Sequence, residues 1–71
     1  MIADYDRVVL YILHNKLDDL FVLMLRTDDD FLAQKIRLFL HEYHYSLNEQ
    51  RLTESYDHLI AYVEHATNKL L

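Results

Sequence analysis

Seventy-one residues carrying twelve acidic and seven basic side chains, for a formal net charge of -5, make one small domain and disfavour a nonspecific grip on a phosphate backbone, which requires cations to neutralise it. The chain has no cysteine, glycine or proline. The first absence excludes disulfides and thiolate metal sites, and the others remove the residues that tight turns and sheet corners use, so an all-α fold is expected.

Asp4 and Asp6 supply acceptors for the first free amides of a helix predicted over residues 4–26. Its central part, residues 8–25, is the most apolar stretch of the chain. At 100° per residue, Val9, Leu10, Leu13, Leu17, Leu20, Phe21 and Met24 share one face. Val8, Ile12, Val22 and Leu23 fall on the other side, beside Asn15, Asp18 and Asp19. A helix apolar on two sides wants cover on both, and two further helices cover only one of them well. A second copy of the chain is therefore expected on the outer side, with Val8, Ile12, Val22 and Leu23 as the dimer interface. His14, Asn15 and Lys16 interrupt the apolar density, but without glycine or proline the helix is read as continuous. The stretch does not read as a membrane span, because each charge near a bilayer centre costs about 2.5–3.5 kcal/mol. Nor does it read as a secretory signal, since Ile2-Ala3-Asp4-Tyr5-Asp6 form no positive n-region and no small-residue cleavage site follows. A cytoplasmic protein is expected.

Arg26 suits the carbonyl end of the first helix, and Thr27-Asp28-Asp29-Asp30 reads as a stop followed at once by a start, with Thr27 or Asp28 as N-cap. So short a link makes the first two helices an antiparallel hairpin. The second helix, residues 29–44, is predicted to bury Leu32, Ala33, Ile36, Phe39, Leu40 and Tyr43, leaving Phe31 and Leu38 on its outer side. Ser46 and Glu49 have capping-box spacing and announce a third helix over residues 47–69. Leu52, Tyr56, Leu59, Val63, Ala66 and Leu70 step along it by four and three, the cleanest stripe in the chain. The expected architecture is a single domain over residues 1–71, a small three-helix bundle built from a helical hairpin and a third helix, and dimeric.

Catalysis is not indicated. Hydroxyls at Ser46, Ser55, Thr27, Thr53 and Thr67 have no histidine at a spacing that would aim a base at them, and no glycine builds an oxyanion turn or phosphate cradle. Asp28, Asp29 and Asp30 read as helix-capping residues rather than ligands of a metal pair. His41 and His44 are three apart, one residue short of the zincin spacing, and find no third ligand except across a dimer. His58 and His65 are two turns apart, about 10.5 Å of rise, too far to share one ion. Neither metal nor cofactor is expected.

Partners are the remaining question. The third helix is a poor nucleic-acid recognition helix, with Arg51 set against Glu49, Glu54, Asp57 and Glu64. Arg26, Lys35 and Arg37 form the only local basic cluster, which a nucleic-acid-associated dimer would have to use. Tyr11, Phe31, Leu38 and Tyr62 are rigid or apolar groups outside the expected core, the kind that protein interfaces favour. The expected function is noncatalytic, binding another protein as regulator, inhibitor or adaptor.

Overall fold

The computed structural model describes the backbone of residues 4–70 and the side chains of residues 4–67. It is helical throughout, but with four helices rather than three: α1 (Asp4–Leu13), α2 (Leu17–Arg26), α3 (Asp30–Tyr45) and α4 (Glu49–Leu70). The additional break lies at His14-Asn15-Lys16. Asn15 has φ 57°, the left-handed region, where asparagine is the best tolerated residue after glycine. The Lys16 amide donates to the Tyr11 carbonyl at 2.7 Å and the Asn15 amide to that of Ile12 at 3.1 Å. These are the two bonds of a Schellman ending, so the last carbonyls of α1 are satisfied without glycine.

This geometry separates the break from a continuous helix energetically. Replacing Asn15 by Ala would gain a few tenths of a kcal/mol in an exposed helix interior, but at a left-handed position it costs about 1 kcal/mol. We expect Asn15→Ala to lower the urea midpoint and Asn15→Gly to leave it unchanged or raise it. A stabilised alanine variant would contradict the break.

The turn reverses the chain. The Tyr5 hydroxyl, near the start of α1, reaches Asp29, just past the end of α2, at 2.7 Å, so α1 and α2 run antiparallel. The beginning of α2 lies beside the end of α3, and Phe39 of α3 stacks at 5.8 Å on Tyr56 of α4, continuing the up-and-down order. Each helix packs on two neighbours, α1 on α2 and α4, α3 on α2 and α4. The 22 residues of α4 rise about 33 Å and account for most of the 37 Å long axis.

Breaking the first helix resets its phase. Val8 (0% exposed) and Leu23 (5% exposed), expected on an outer dimer face, are core residues, and Ile12 packs against the same core. Of the four, only Val22 faces solvent. Conversely Val9, Leu10, Leu13 and Phe21, expected to be buried, are exposed. The reason is geometric: one wheel cannot describe two helices that each orient independently. Val8 and Leu23 therefore offer no surface to a second copy in the folded chain.

Leu20, Leu32, Ile36, Phe39, Leu40, Leu59 and Val63 complete the core, as the spacing on the later helices predicts. Tyr43 and Tyr56, expected inside, stand at its rim with their rings against Phe39. Ser55 is buried and returns its hydroxyl proton to the Leu52 carbonyl at 2.8 Å, a local bond that lets a polar residue enter the interior. The caps also differ from expectation. Asp29, not Thr27 or Asp28, caps α3, its Oδ1 accepting the Leu32 amide at 3.1 Å. Asn48 rather than Ser46 caps α4, with Oδ1 accepting from Gln50 at 2.9 Å, while Ser46 folds the preceding turn by accepting the Asn48 amide. Asparagine and aspartate compete well with serine and threonine at this position, and the chain offers both kinds side by side.

Candidate functional surfaces

Tyr62, expected to face a partner, is engaged inside the fold. Its hydroxyl donates to Asp29 Oδ2 at 2.6 Å, and the Tyr5 hydroxyl donates to the same oxygen at 2.7 Å. The two rings meet edge to face at 6.3 Å, and the Lys35 ammonium lies 5.7 Å from the centroid of the Tyr62 ring. One carboxylate therefore joins α1, the start of α3 and the middle of α4. Burial by itself would push the Asp29 carboxyl up, but hydrogen bonds from Tyr62, Tyr5 and the backbone amides of Leu32 and Phe31 outweigh it and hold the group below its ordinary value. The bond to the Asp29 carboxylate, then desolvation, pushes the Tyr62 hydroxyl up to about 12, and the same causes raise Tyr5.

The signs of these shifts define a pH window. Both phenols have folded values above the unfolded value of 10.0, so their contribution is complete below pH 10 and fades as pH climbs towards 12. Asp29 is lowered from 3.8, so its contribution is complete above that value and is lost as pH falls through the folded one. We expect the stability difference between wild type and Tyr62→Phe to be constant between about pH 5 and 9 and to shrink towards both extremes. Denaturant midpoints at a series of pH values measure it; a difference that peaks near neutrality and halves by pH 9 would assign the bond to other groups.

This cluster is a clasp between three helices. Its carboxylate receives both phenols and the Leu32 amide, and the Thr27 hydroxyl accepts the Asp29 amide at 3.2 Å. Among the described residues no group of three or more His, Cys, Asp or Glu side chains is placed to hold a metal ion. His41 and His44 lie exposed near the end of α3, their rings against Tyr45 and Tyr43.

Apolar surface is the more informative feature. Between α2 and α3 runs a groove of about 540 Å³ lined by Leu17, Asp18, Phe21, Val22, Arg37, Leu40, His41, His44 and Tyr45. Phe21, Val22 and Tyr45 are exposed along it, and Leu25 continues the apolar surface on α2 one turn beyond Phe21. A larger hollow of about 810 Å³ under the α3–α4 connection is lined mainly by polar groups, including Glu42, Asn48, Glu49, Gln50 and Arg51, and offers hydration rather than apolar contact.

The residues expected to bind partners thus divide. Phe31 and Leu38 are exposed on α3, whereas Tyr11 packs against the core and Tyr62 belongs to the clasp. Tyr45 lies off the buried stripes of the sequence, whereas Phe21 was read as buried on the assumption of one continuous helix. Lys35 and Arg37 lie on opposite flanks of α3, the one against Tyr62 of α4 and the other in the groove with α2, so the basic cluster does not converge on one surface.

A family model described as "YhdB-like protein" matches residues 1–70. A protein of Bacillus subtilis (strain 168), "Uncharacterized protein YhdB", is 40% identical over 65 residues, which cover 92% of this chain and 81% of that protein. No solved structure matches.

Proposed function

The chain belongs to the YhdB-like protein family, and we propose that it is a noncatalytic protein-binding module, a regulator, inhibitor or adaptor that receives a helix of another protein in the α2–α3 groove. The observation that carries this reading is the groove itself. Its floor and rim are mainly apolar, it is open along its length, and its walls are helices rather than loops. A helix laying an apolar face into such a groove is a common recognition mode, in which anchors three, four and seven residues apart enter successive gaps. Asp18 stands on the α2 bank and Arg37 on the α3 bank. They suit a partner helix with a cation on one flank and an anion on the other, which fixes its orientation more than its affinity.

The test is capture from the native host with wild type and with Phe21→Glu/Val22→Glu. Both side chains are already exposed, so the double variant is expected to fold. A protein retained by wild type and lost from the variant is the expected result, with at least a tenfold loss of affinity, about 1.4 kcal/mol, when the pair is remeasured in purified form. A partner retained equally by both would place binding elsewhere.

A further inference from the structure

The outward face of α3 carries a second pattern, which shares only His41 and Tyr45 with the groove. Phe31, Gln34, Leu38, His41 and Tyr45 follow one another at intervals of three, four, three and four, the spacing of a coiled-coil seam. In a single chain the seam points to solvent: Phe31 is 68% exposed, Leu38 48% and Tyr45 74%. Its end, His41 and Tyr45, borders the groove with α2, and Leu38 borders a small hollow with Ser55 and His58 of α4.

We infer that this seam is the contact through which two copies of the chain associate, α3 lying parallel to the α3 of its partner. The charges beside the seam favour a second copy. With Phe31, Leu38 and Tyr45 at the first position of each heptad, Asp30 and Arg37 occupy one flank and Lys35 and Glu42 the other. In a parallel pair the flanks meet five residues apart, which sets Asp30 against Lys35 and Arg37 against Glu42 of the other copy. Both pairs are opposite in sign, and two-fold symmetry doubles them. An antiparallel pair centred on the same seam instead brings each Arg37 towards its own counterpart. The aromatic ends of the seam and the central Leu38 supply the apolar area, and the polar Gln34 and His41 layers restrict the register. The pairing leaves Phe21 and Val22 free, while Arg37, His41 and Tyr45 belong to both surfaces.

Sedimentation velocity of the full chain at micromolar concentration tests the inference. Wild type is expected at the mass of two chains, Phe31→Ser/Leu38→Ser at the mass of one with unchanged helix content, and Phe21→Glu/Val22→Glu still at the mass of two. Because the chain has no cysteine, Gln34→Cys offers a second reading: a parallel pair juxtaposes the two thiols and oxidises to a linked dimer, whereas the exposed control Gln50→Cys does not. A monomeric wild type overturns the inference, as does a dimer that persists in the seam variant. A dimer in which Gln34→Cys links no faster than the control overturns the parallel arrangement. Loss of the dimer in the groove variant alone would move the contact to the groove and count against both readings separately.

Discussion

Leu59→Asp is expected to abolish the cooperative fold. Leu59 is fully buried and Val63, one turn on, nearly so, within a core of nine buried apolar residues among those described. Removing a buried leucine side chain costs about 2–5 kcal/mol, and a carboxylate left unpaired in the same place adds several more. A domain of this length has a total stability of roughly 4–11 kcal/mol. The loss therefore takes up most or all of it. Thermal melts followed by circular dichroism should show a shallow, featureless decline for Leu59→Asp and for Val63→Asp. A sigmoidal transition within a few degrees of wild type would mean that α4 presents another face to the core.

Asp29→Ala is expected to cost about 2–4 kcal/mol. Three terms contribute: the cap on the Leu32 amide, worth about 1 kcal/mol, and two phenol bonds to a charged acceptor. The sum is held down because the cluster is only part-buried and the freed hydroxyls can turn to water. Asp29→Asn should recover the cap and part of the remainder, while Tyr5→Phe and Tyr62→Phe should each cost about 1 kcal/mol. Both phenols end on one oxygen, so the double phenylalanine variant should depart from additivity. Urea titrations of wild type and the five variants read these differences directly. Asp29→Ala within about 0.5 kcal/mol of wild type would reduce the clasp to a surface contact.

How much of this was legible in the sequence depends on how local each feature is. The helical class followed from the missing glycine and proline, and the bounds of α3 were anticipated to within a residue because its stripe and both ends are set by neighbouring residues. The break at Asn15 was not: His14-Asn15-Lys16 stood out as the weak point, but only glycine and proline were credited with ending a helix, whereas asparagine can enter the left-handed region at modest cost. One such residue reversed the faces of α1 and shifted that of α2, where Leu20 stays in the core while Leu23 enters it and Phe21 leaves it. The choice among Thr27, Asp28 and Asp29 as cap is local in spacing but not in cause. Asp29 is selected by Tyr5 and Tyr62, residues 24 and 33 positions away, which no local pattern joins. Phe31 and Leu38 were placed correctly on the outside because the helix that carries them is unbroken.

Binding in the α2–α3 groove is tested most directly by photocrosslinking in the native host, with a photoreactive residue at Val22 on the groove rim and, as control, at Asp57 on the exposed side of α4. A discrete adduct from position 22 alone, containing a second, different protein joined through a helical segment, is the expected result. No adduct at position 22, or the same adducts from both positions, would contradict it.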